Sequence, residues 1–218
     1  MTENKRAVES YLSNPLLLLV VGAALSGLLI PYITAQWQNH EKELELKTNL
    51  VTRISEAVSR MLTTAQFSAA NRTDQAEYLQ AYYEWEATHS AIGSYLRAYF
   101  PNTLISEEWD EYANVTTSFF RLTAINSLQE KQQLVGQIEK YFSSCPSDID
   151  WNALVNQDNL FFYNEDYRSN WFLVKDQIIS AKNNIVQNVM KAPIFSWNPF
   201  WQVNTSQESA NVINKIGC

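Results

Sequence analysis

The sequence predicts an all-α protein: a single N-terminal transmembrane helix that continues into an antiparallel helical bundle of about four to five helices. Three observations carry this expectation. Glycine occurs 5 times and proline 6 times in 218 residues, too few for the tight turns of a β-rich chain. Leu16 to Ile33 is an 18-residue run with almost no polar group. Beyond it, apolar residues recur at spacings of three and four, the period of one helix face.

The apolar run comes first. No charged side chain falls between Ser10 and Asn39. At 1.5 Å per residue the run covers about 27 Å, close to the hydrocarbon thickness of a bilayer. It exceeds the roughly 7–15 residues of a signal-peptide core, which favours an uncleaved anchor. Tyr11, Tyr32 and Trp37 flank it, where amphipathic rings prefer the membrane interface. Gly22 and Ser26 are four apart, as are Ala23 and Gly27. Such pairs let two helix backbones approach closely in lipid, so these four residues are the expected helix–helix contact in the membrane. Pro31 predicts a local loosening of the helix, because its ring crowds the carbonyl of Gly27.

The next segment turns amphipathic at once. Leu44, Val51, Val58 and Ala65 recur every seven residues, with Ile54 and Met61 as a second seam. No proline or glycine lies between Pro31 and Asn71, so the anchor is expected to run straight into this helix. Lys47 on one seam argues for packing onto the chain's own domain rather than a long coiled coil. Asn71 to Asp74 predicts a break and a new N-cap. The following helix carries the stripe Tyr78, Tyr82, Trp85, His89, Ile92, Leu96, Tyr99, of which Tyr82, Trp85, His89, Ile92 and Leu96 are the expected bundle core.

Pro101 ends that helix, and Ser106 with Glu107 and Glu108 predicts the start of another. Its expected inner face is Trp109, Tyr112, Thr116, Phe119 and Thr123. Ser127 to Glu130 matches a capping box before a helix carrying Leu134, Ile138, Tyr141 and Phe142. A connector with one short helical turn leads to a last helix, striped by Trp171, Val174, Ile178, Ala181, Ile185 and Val189. Near the end, Phe195, Trp197, Phe200 and Trp201 put four aromatic rings within seven residues. They either cover the bundle or lie at a membrane interface. Residues 1–14 are thus an N-terminal flank, 15–37 the anchor, 38–192 the bundle, and 193–218 an aromatic segment with a polar tail.

Charge and motifs narrow the function classes. A net charge of −7 argues against nucleic acid, whose phosphates need a basic face. Glu86-x-x-His89 has the spacing of a carboxylate and an imidazole on one helix face, but carboxylate-bridged metal pairs use two such motifs and further glutamates. No metal, cofactor or catalytic residue is therefore expected, and His89 is read as structural. Asp148 and Asp150 suit helix capping before Trp151. The two cysteines, Cys145 and Cys218, form no disulfide framework, which favours a cytoplasmic bundle at the cell membrane.

In layout, one N-terminal span followed by an aromatic-rich helical bundle is similar to small bacterial inner-membrane proteins. Among these are membrane accessory proteins of phage-defence systems, one of which assembles into a pore. The likeness covers architecture and carries no motif. The expected function is that of a single-pass, membrane-anchored, non-enzymatic interaction or accessory subunit, partnered by the lipid bilayer and by a second copy or another protein. The alternatives are a self-assembling membrane effector or pore and, third, a membrane-tethered enzyme.

Overall fold

The computed structural model describes residues 15–24, 26, 27, 30–70, 72–101, 103–145, 148–155, 161, 164–192 and 194. Most of them are helical, and the rest form turns and short connections, with no strand among the described residues. The helices are α1 (Pro15–Ala24), α2 (Ile30–Ala69), α3 (Gln75–Tyr99), α4 (Ile105–Leu122), α5 (Leu128–Tyr141), α6 (Trp151–Val155) and α7 (Glu165–Lys191). The chain divides into two compact units, Met1–Leu46 and Lys47–Cys218.

In the first unit, α1 opens on Pro15, whose missing N–H costs nothing in a first helical turn. Ser26 and Gly27 are π-helical. Pro31 withholds the donor that the Gly27 carbonyl would otherwise receive, so the regular ladder cannot close there. The Ser26 hydroxyl turns back to the Gly22 carbonyl at 2.7 Å, and that of Thr34 to the Ile30 carbonyl at 2.9 Å. The 10 residues of α1 extend only about 15 Å. Among the described residues, no helix is long and apolar enough to cross a membrane: the predicted span is divided between α1 and the first turns of α2.

In the second unit, cross-helix contacts fix the direction of each neighbour. Arg53 lies over the Tyr95 ring at 5.7 Å, and Arg60 pairs with Glu84 at 2.7 Å, so α2 runs antiparallel to α3. Lys47 reaches the Met190 carbonyl and Lys175 donates to Gln66 at 2.8 Å, so α2 also runs antiparallel to α7. Helix α4 is antiparallel to α3 through Arg97–Asp110 at 2.8 Å and Trp85–Thr117 at 2.8 Å. It is antiparallel to α7 through Phe119–Trp171 and Asn188–Glu108, and to α5 through Ser118–Gln137. The result is an antiparallel helical bundle.

Three neighbours explain why α4 buries more than one stripe. Trp109, Tyr112, Thr116, Phe119 and Thr123 are buried, and so are Ala113, Val115, Phe120 and Leu122, which a one-sided inner face does not include. The α7 stripe is buried from Trp171 to Val189. On α2 the buried seam is Lys47, Leu50, Ile54, Val58, Met61, Leu62, Ala65 and Ala69. Leu44, expected at the head of this seam, is exposed; the seam begins one turn later with a lysine.

The helix ends follow local chemistry. Asp74 accepts from the Glu77 N–H at 2.7 Å, and Asn164 from the Tyr167 N–H at 2.9 Å. Asp150 accepts from Asn152 at 3.0 Å and Ala153 at 3.4 Å, which starts α6. The capping box expected at Ser127 does not form: its side chain makes no cap bond, and the turn closes through backbone, from Lys131 N–H to the Ser127 carbonyl at 3.0 Å. Cys145 lies just beyond α5. The other cysteine in the sequence, Cys218, lies outside the described residues, as do Phe195, Trp197, Phe200 and Trp201.

Candidate functional site

The stripe on α3 faces α4 and ends at a polar cavity. Trp85, Ile92 and Leu96 are buried, whereas Tyr82 and His89 are half-buried. Trp85 packs in tilted contact with His89 at 5.5 Å and Trp109 at 6.3 Å between ring centroids. The Trp109 indole donates to the His89 carbonyl at 2.9 Å. These contacts hold the middle of α3 firmly against α4.

Beside them lies a cavity of about 390 Å³, within the usual range for small-molecule sites. Helix α3 supplies Glu86 and His89. Helix α4 supplies Asn114, Val115, Thr117, Ser118 and Arg121, and α5 supplies Gln137. The His89 Nε2 and Glu86 Oε2 atoms are 3.1 Å apart, so the Glu-x-x-His spacing does bring the two groups together. Tyr82 stands one helical turn before Glu86; burial first, and then that carboxylate, hold its pKa above 10.0. Tyr78 is raised further, by burial and by Tyr82, with Arg121 opposing. Arg121 therefore stands close to both phenols.

The Ser118 hydroxyl is held between the Asn114 carbonyl at 2.9 Å and Gln137 Oε1 at 2.8 Å. His89 faces Glu86 rather than a nucleophile. No cluster of three or more His, Cys, Asp or Glu side chains fit to hold a metal occurs among the described residues. Sequence reasoning singled out Glu86 and His89 but missed Asn114, Thr117, Ser118, Arg121 and Gln137. Those residues are polar positions on two other helices, and only the packing of α4 between α3 and α5 brings them together.

A second buried polar group joins α4 to α7. Glu108 accepts from Asn188 Nδ2 at 3.2 Å. Burial raises its pKa above 4.5; Asn188 opposes the shift and Glu111 adds to it. Burial likewise pushes Tyr167 up to about 12.

The small-residue face lies elsewhere, in the first unit. Gly22 and Ala23 are exposed on α1, and Ser26 and Gly27 are exposed in the π-helical turn. A Cβ built on Gly22 or Gly27 meets nothing within 4 Å. No family model, curated protein or solved structure matches the chain.

Proposed function

We propose that the chain is a membrane-anchored interaction protein, held by residues 15–37, whose helical bundle acts non-enzymatically as an accessory subunit. The observation that carries this is apolar exposure in the first unit. Leu19 is 72% exposed, Tyr32 67% and Trp37 74%, with Val20, Ile30 and Ile33 also open. Contiguous exposed apolar surface of this kind marks contact with a membrane or another protein. The charge-free sequence around it and its interfacial aromatics suit lipid.

Orientation rests on cysteine usage: two cysteines in 218 residues form no disulfide framework, which favours a bundle on the cytoplasmic side.

The test is membrane fractionation followed by protease protection. The full chain is expected to stay in the pellet through high-salt and carbonate washes, since salt releases only charge-held proteins. Protease added to the cytoplasmic side should digest the bundle. Release by carbonate would overturn the anchor; a bundle protected until the membrane is opened would overturn the orientation.

A second reading rests on the space around Gly22 and Gly27. A neighbouring helix has room to approach there, which supports self-association of the anchors and, with it, a self-assembling membrane effector.

A further inference from the structure

We infer that the cavity between α3, α4 and α5 binds a small organic monocarboxylate. The inference does not depend on membrane anchoring, because every residue it uses lies in the second unit.

Hydrogen-bonding capacity points to an acceptor-rich ligand. Thr117 Oγ1 already accepts from the Trp85 indole at 2.8 Å, which leaves its own proton to donate. Gln137 Oε1 accepts from Ser118 at 2.8 Å, which leaves the amide NH₂. Glu86 is engaged by His89 at 3.1 Å, so the strongest acceptor in the wall is already in use. Arg121 lines the same cavity and has no carboxylate partner among the described residues. Its planar fork of N–H groups matches a carboxylate in two parallel bonds.

Charge then selects among oxyanions. Arg121 contributes one positive charge and Glu86 one negative charge. A monoanion placed on the guanidinium is compensated locally. A phosphate dianion would bring a second negative charge towards Glu86 without a second permanent cation to offset it, His89 being already turned to Glu86. Val115 provides apolar wall for a short hydrocarbon body, as ligand cavities generally do.

The experiment is titration calorimetry on the full chain in mild detergent, with butyrate, benzoate and phenylacetate as probes and inorganic phosphate as comparison. At least one acid is expected to bind saturably, with phosphate weaker. Arg121 is exposed, so Arg121→Gln should leave the fold intact and weaken binding about tenfold or more. Glu86→Gln should tighten it several-fold by removing the nearby negative charge. No saturable heat from any of the three acids up to about 10 mM would overturn the inference. So would binding that survives Arg121→Gln unchanged, or phosphate binding as tight as the best acid.

Discussion

The Lys47 ammonium donates to the main-chain carbonyl of Met190 at 3.3 Å, across 143 residues of sequence. Met190 lies in the last turn of α7 (Glu165–Lys191), where carbonyls lack intrahelical donors and the helix end carries partial negative charge. A lysine that breaks the apolar seam of α2 therefore completes the end of another helix. Lys47→Met keeps the stem's packing but removes the donor and the charge. We expect it to lower unfolding free energy by about 1–2 kcal/mol, measured by denaturant titration of the full chain in detergent. Lys47→Arg should retain most of that stability.

Glu108 should make the fold weaker at neutral pH than in mild acid. Its folded pKa is raised above 4.5. A raised carboxyl contributes stability that is fully present below the unfolded pKa and lost as pH rises through the folded one. Glu108→Gln should therefore raise the thermal midpoint near pH 7 and change it little near pH 4. Equal effects at both pH values would assign the change to packing instead.

Gly93 sits where α3 packs tightly against α4. A Cβ there would stand 3.1 Å from Asp110 Oδ1 and 3.4 Å from Trp109 Cδ1. The Asp110 side chain is partly exposed in its pair with Arg97 and can yield; the Trp109 ring is wholly buried. Gly93→Ala should be near neutral, because better helix propensity offsets the tight fit. Gly93→Val should cost about 1–3 kcal/mol through overpacking, read as a lowered thermal midpoint.

Leucine at Gly22 or Gly27 tests the membrane helix contact. Both positions open onto free space within one chain, so neither change should disturb the monomer, and leucine favours membrane insertion. We expect Gly22→Leu and Gly27→Leu to reduce cross-linked or native-mass oligomers in mild detergent. Unchanged assembly in the double variant would leave a plain anchor and remove the support for a self-assembling effector.

Much of the bundle was legible because its signal is periodic. The stripes from Trp171 to Val189 and from Tyr78 to Tyr99 repeat at the helical period, and the α7 stripe is buried throughout. Asp74 and Asn164 cap through short local bonds, which sequence encodes directly. Leu44 and Lys47 exchanged their expected roles because the deciding partner, the end of α7, lies far along the chain. The cavity was half legible for the same reason. Glu86 and His89 meet within one helix turn, whereas Arg121 and Gln137 join them only through tertiary packing.

The antiparallel pairing of α2 with α7 also sets a timetable for synthesis. The buried seam of α2 includes Leu50, Ile54, Val58 and Met61, yet the helix that bonds to Lys47 leaves the ribosome 143 residues later. At translation speeds of about 5–20 residues per second, that is a wait of roughly 7–30 s. Through that interval the nascent chain carries an open apolar groove that α3 covers on one side only. A stalled or truncated chain ending before Glu165 would keep the groove open permanently, and chaperones and proteases recognise such a surface.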